Sequence, residues 1–339
     1  MRQMKRFFTL TRMAIPGLFL LTLSSCAKLD NVSTDKTAPL TPLVYVANEN
    51  SNSVTVIDAS TFKVIATIDS EKISPHDLQP SRDGTRLYAT DTASGRLSVI
   101  DTQSRKMIAS IYTGIGCRAV ALTHDDQFAW VTNTGDDTIS IVETRNYRIV
   151  GTLAVRKGPA GLTFSQDGRF AYVSNQGNKT VAVVDTASYR VIKTIPVGTN
   201  PQFLILGPDG RIWGTNSGSN DLYVIDPATQ TKVATFKVGP NPQQIAFAYK
   251  GPVGPNAYVT VSGANHVAVV STDKSRMQVM EHISVGNKPN GISANREGNR
   301  IYVGNEGSND LDIVDTATSA RIAKIPVGQK PVRVVMSRD

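Results

Sequence analysis

The chain is poor in the residues that most often announce a chemistry. It has two cysteines, four histidines and two tryptophans in 339 residues, and aromatics make up only 6%. Cys26 and Cys117 exclude a disulfide-rich scaffold and leave one disulfide on paper. There is no Cys-x-x-Cys-His for covalent haem, no Gly-rich phosphate loop and no G-x-S-x-G elbow. No apolar run is long enough to span a bilayer comfortably. The 17 prolines and 26 glycines favour many turns over long helices. The formal charge is +8, but Arg2, Lys5, Arg6 and Arg12 lie in the first 25 residues without an acid, and setting them aside leaves +4. A mild, dispersed charge with no basic stripe interleaved with aromatics argues against nucleic acid as a partner.

What is present begins with an address. Arg2 to Arg12 form a basic segment, Met13 to Leu23 a short apolar one, and Leu23-Ser24-Ser25-Cys26 follows. This resembles the bacterial lipobox, in which cleavage precedes a cysteine that carries acyl chains. Residues 1–25 are then a lipoprotein signal peptide and Cys26 the lipidation site. In such lipoproteins a non-Asp residue after the cysteine, here Ala27, implies the outer membrane. Residues 26–42 are polar, contain two prolines and lack periodicity, as a flexible tether does.

From Val44 on, one pattern recurs seven times. Its aromatic marker is Tyr45, Tyr88, Trp130, Tyr172, Trp213, Tyr258 and Tyr302, with gaps of 43, 42, 42, 41, 45 and 44 residues. A second marker is Asp58, Asp101, Glu143, Asp185, Asp226, Ser271 and Asp315. A third, Leu78, Val120, Leu162, Leu204, Ile245, Ile292 and Val334, follows a VG-x-x-P turn. A period of this length holding four short apolar runs predicts an all-β, seven-bladed β-propeller of four-stranded blades over residues 43–339. The segment after the turn suits the innermost strand. The alternating Arg-Val-Ile-Lys-Thr-Ile type suits the outermost. The folded region starts on a second strand and ends on an unmatched first strand, residues 331–337. Pairing the two closes the ring.

Tyr45-Val46-Ala47-Asn48, Trp130-Val131-Thr132-Asn133, Tyr172-Val173-Ser174-Asn175 and Tyr302-Val303-Gly304-Asn305, with their VID-T and I-P-V-G-x-x-P companions, resemble the YVTN-family β-propeller repeat over residues 43 to 337. The resemblance implies the fold. It implies several functions, since similar repeats occur in bacterial periplasmic propellers, archaeal surface-layer proteins and haem d1-binding propellers.

The repeated Asp and Asn read as turn residues, because catalysis needs no copy in every blade. Function is expected where the blades disagree, at the loop entering each inner strand. The two positions after Pro75, Cys117, Pro159, Pro201, Pro242, Pro289 and Pro331 differ from blade to blade. They supply a candidate funnel of His76, Asp77, Arg118, Gln202, Gln243, Gln244, Asn290 and Arg333 for a polar or anionic ligand. Adjacent strand residues point to opposite faces, so His76 and Asp77 are not expected to act as a coupled base, and no catalytic residue is assigned. His124, His266 and His282 are expected in different blades at different strand ends. With His76 they show no metal-ligand spacing, so neither metal nor cofactor is expected. Cys117 reads as a small turn residue, or as a reactive thiol. Blade 6 departs most, with Ser271 as its marker, Ser262-Gly263 in place of the Asn, and a longer loop from Ala248 to Asn256.

The expectation is a membrane-tethered, extracytoplasmic, monomeric binding or scaffold module for a partner protein or small polar ligand. The alternatives are a lactonase-like or lyase-like propeller hydrolase, or a redox or haem d1-type accessory protein.

Overall fold

The computed structural model describes residues 42–69, 74–251 and 254–337. The signal peptide, Cys26 and nearly all of the expected tether lie outside them. Seven antiparallel four-stranded sheets follow one another, each in the order inner to outer. Blades 2 to 7 are continuous in sequence, beginning at Pro75, Cys117, Pro159, Pro201, Pro242 and Pro289. Blade 1 is composite. Its inner strand is the C-terminal Pro331–Met336, and its other three are Leu43–Asn48, Ser53–Asp58 and Lys63–Asp69. Tyr45 pairs with Val335 and Val46 with Val334, and Leu43 and Ser337 exchange hydrogen bonds at the end of the ladder. The expected closure is therefore present.

The marker aromatics on the second strands are buried between blades. Trp130 meets Phe164 of the next blade edge-on at 5.5 Å, and Trp213 meets Phe247 of the next blade at 5.8 Å. Such pairs make the blade-to-blade core. The repeated carboxylates close turns: Asp58 accepts from the Ser60 and Thr61 amides, and Asp185 from Ser188. The repeated Asn residues bond across the hairpin, Asn48 to Thr55 and Asn133 to Ser140.

Two sets of bulges shape the ring. In every outer strand the ladder skips one residue, at Ile65, Ile108, Val150, Ile192, Val233, Met280 and Ile322. A bulge on an exposed edge, with Lys63, Lys106, Arg148, Arg190, Lys232 or Arg321 nearby, blunts strand addition from outside. The second set lies where each inner strand begins. Register shifts there in all seven blades, so two residues oppose one.

The bulge leaves an amide without a ladder partner. A hydroxyl on the neighbouring strand takes it in five blades. Thr90 accepts from the Asp77 amide and donates to the Arg118 carbonyl of the next blade. Thr132, Ser174, Thr215 and Thr260 do the same for Ala119, Gly161, Phe203 and Gln244. The hydroxyl of the Tyr-Val-Thr-Asn pattern thus ties adjacent inner strands together.

Candidate functional site

The inner bulges decide which side chains see the channel. At a regular strand position His76 and Asp77 would face opposite ways. The register jump between Pro75 and Asp77 instead brings both to one cavity, which corrects the alternation argument. They still do not bond each other. His76 Nδ1 stands 3.8 Å from Glu49, and Asp77 pairs with Arg333, Oδ1 to Nε 2.8 Å.

Seven of the eight candidates line this narrow mouth: His76, Asp77, Arg118, Gln202, Gln243, Gln244 and Asn290. The eighth, Arg333, lies on the other side of its partner Asp77 and lines the far half of the channel. The mouth cavity holds only about 70 Å³, room for roughly two waters.

Most of its side chains satisfy one another, while His76 Nδ1 is buried without a hydrogen-bond partner. Arg118 Nη2 donates to Gln202 Oε1 at 2.7 Å, and Gln176 donates to the same oxygen at 2.9 Å. Arg333 Nη1 donates to Gln244 Oε1 at 3.0 Å, and Gln244 donates to the Val332 carbonyl at 2.9 Å. Asn290 donates to Glu306 at 3.0 Å. Asp77 also accepts from the Leu78 and Val120 amides. Burial pulls the Arg118 guanidinium below its ordinary value, with Glu49 and Asp77 acting against that. The result is a polar gate of paired groups, pre-organised and small.

At the far end the channel widens into three adjoining depressions of about 310, 570 and 530 Å³ that meet at Arg333. Their walls come from the inner strands beyond the bulge. A row of Gln79, Ala121, Thr163, Ile205, Ala246, Ser293 and Val335 lines them, flanked by Leu122, Phe164, Leu206 and Phe247. Phe203 lies beneath the Arg333 guanidinium at 5.1 Å. This half has a wall of mixed apolar and polar side chains with the Arg333–Asp77 pair at its apex, and Pro42, where the described chain enters, is on its rim. The sequence reading missed it, because apolar inner-strand residues look like core. The available signal was size at one position, where blade 5 places Ile205 and the other blades Gln79, Ala121, Thr163, Ala246, Ser293 and Val335.

Glu49 braces the gate from outside. Burial works against its charge, but hydrogen bonds and charges from His76 and Lys330 outweigh it and hold the carboxyl at about 2. A folded value depressed below the ordinary 4.5 adds stability that is complete above that pH and is lost as pH falls towards 2. Glu49→Gln should therefore flatten the fall in urea midpoint over that window and leave the midpoint's slope near neutrality unchanged. An unaltered acid limb would contradict the assignment.

Cys117 is the fully buried first residue of its inner strand, just after the turn, and burial pushes its thiol up to about 12, which argues against a reactive thiol. The expected long blade 6 loop is shorter than its sequence suggested, because the inner strand runs on to Tyr249 and the next begins at Pro255. The residue standing for the hairpin Asn in that blade is Val261, not Ser262-Gly263. His266 and His282 share this blade and meet edge to face, which corrects their expected separation. Among the described residues no three His, Cys, Asp or Glu side chains converge as metal ligands would, and no helix is long and apolar enough to cross a membrane.

Comparison with known proteins follows the same division between fold and function. A family model described as a domain of unknown function (DUF5074) matches residues 83–251, inside the propeller. No curated protein sequence matches the chain. Among solved structures, it is similar to Kuenenia stuttgartiensis hydrazine synthase, with 20% identity and a TM-score of 0.62 over 76% of this chain and 88% of that one. It is similar to a putative 6-phosphogluconolactonase from Bacteroides fragilis, with 15% identity and a TM-score of 0.74 over 89% and 99%. It is likewise similar to the periplasmic gluconolactonase of Pseudomonas aeruginosa, with 16% identity and a TM-score of 0.72 over 87% and 99%. At these identities the likeness extends to the β-propeller fold.

Proposed function

We propose that the protein is a lipid-tethered, extracytoplasmic binding module whose channel takes a small amphipathic ligand through its wide end. The observation that carries this reading is the contrast between the two ends. The polar mouth is small and most of its groups are already paired. The wide end offers several hundred cubic ångströms of open space, with Phe164, Ile205, Leu206 and Phe247 among polar neighbours on its wall and the Arg333–Asp77 pair where the depressions meet. An apolar concavity with a few convergent polar groups is the usual form of a small-molecule site. The tether and the compartment rest on the N-terminal pattern ending in Cys26.

Both tryptophans report on this site. Trp130 packs behind Phe164 and Trp213 behind Phe247, and both phenylalanines line the depressions. Anilinonaphthalene sulfonate has an apolar body and an anionic end, and titrating the full chain with it should give saturable quenching of tryptophan emission at one molecule per chain. Linear, non-saturating quenching would sink the proposal.

A second reading is lactone hydrolysis. It is supported by the two lactonase-named structures and by the imidazole of His76 beside the Glu49 carboxylate. Turnover of gluconolactone that disappears in His76→Ala would establish it, and the absence of turnover leaves the binding reading.

A further inference from the structure

Blade 6 breaks the repeat at three positions, and the structure brings them together. Where blades 1, 3, 4, 5 and 7 end the second strand with Asn and blade 2 with Asp91, and all of them open the third with Ser, Thr or a charged residue, blade 6 has Val261 and His266. Its outer strand carries His282 where blades 1, 3, 4 and 5 have Thr67, Thr152, Thr194 and Thr235. Register pairs His266 with Ser284 and Ala268 with His282, so the two histidines are diagonal neighbours on one face of the hairpin. Their ring centroids are 4.3 Å apart.

We propose that His266 and His282 form a two-imidazole site for a divalent transition-metal ion. With a metal–imidazole bond of about 2.0–2.1 Å, two imidazoles at a right angle, as in square-planar or octahedral coordination, have centroids roughly 4.5 Å apart, close to the observed separation. His266 Nε2 is buried and has no hydrogen-bond partner. Beside it are the Val261 side chain, which cannot pair with it, and Gly239, where a Cβ would stand 3.6 Å away. A polar atom left in this state is costly, and an ion supplies the missing partner. His282 is exposed, so it can turn a nitrogen to the ion while water fills the remaining positions. Nitrogen ligands suit the later first-row ions, with Cu(II) bound most tightly. The site is at the rim of the ring and independent of the channel.

The test is a Cu(II) titration of the full chain, free of any histidine tag, followed by electron paramagnetic resonance. One ion per chain with hyperfine coupling to two nitrogens is expected. His266→Ala and His282→Ala should each weaken binding by roughly tenfold or more, while His124→Ala leaves it unchanged. His282→Ala decides the matter if loss of His266 disturbs the blade, because the His282 side chain is exposed. No stoichiometric binding by the unaltered chain, or binding indifferent to His282→Ala, overturns the proposal.

Discussion

Removing residues 331–339 should abolish cooperative folding, whereas removing 338–339 alone should leave the melting temperature within a degree or two. The longer deletion takes away the inner strand of blade 1. Val332, Val334 and Val335, all buried, leave with it. Burial of each such side chain contributes about 1.5–3 kcal/mol, so three of them approach the whole stability of an ordinary domain, about 5–15 kcal/mol. The deletion also strips the ladder partners of Val44 to Asn48 and opens the ring at a flat apolar edge. Circular dichroism during heating reads the outcome. A truncated chain that melts cooperatively at the parent temperature would mean that closure contributes little.

The second large effect is expected at the gate. Asp77→Ala should cost about 3 kcal/mol in urea unfolding, because it leaves the Arg333 guanidinium largely buried without its counter-charge. It also leaves the Leu78 and Val120 amides without an acceptor. Adding Arg333→Met to Asp77→Ala should restore about half or more of the loss, since an apolar side chain of similar length needs no partner there. Equal destabilisation by the single and double variants would show that the lost amide bonds, and not the orphaned charge, dominate.

These two predictions differ in how readily they could be foreseen. Closure was legible because the repeat is a counting problem: an unmatched first strand at the end and a missing one at the start have one arrangement that leaves no edge. The aromatic markers were legible because inter-blade packing demands a large ring at the same place each time. The candidate funnel was legible because its positions are where the blades disagree.

What could not be read follows from backbone geometry. One skipped residue at the start of each inner strand reverses the facing of what precedes it, and this is why His76 and Asp77 share a cavity. A bulge of this kind has no residue signature in the chain, since the hydroxyls that stabilise it, Thr90 to Thr260, sit on a different strand. The wide end was hidden for a second reason. Ile205, Leu206 and Phe247 have the composition of core, and only the taper of the ring shows that their far side is empty. His266 and His282 were hidden by register, because sixteen residues of sequence separation become one diagonal step across a hairpin.

The most direct test of the ligand site compares its two ends under one titration. Anilinonaphthalene sulfonate is added to the parent chain, to Ile205→Asp at the wide end and to Arg118→Ala at the gate, each first shown to be folded. If the wide end is the site, Ile205→Asp raises the half-saturation point about tenfold or more and Arg118→Ala leaves it near the parent value. The reverse, loss of binding in Arg118→Ala with Ile205→Asp unaffected, would return the site to the polar mouth and contradict the account.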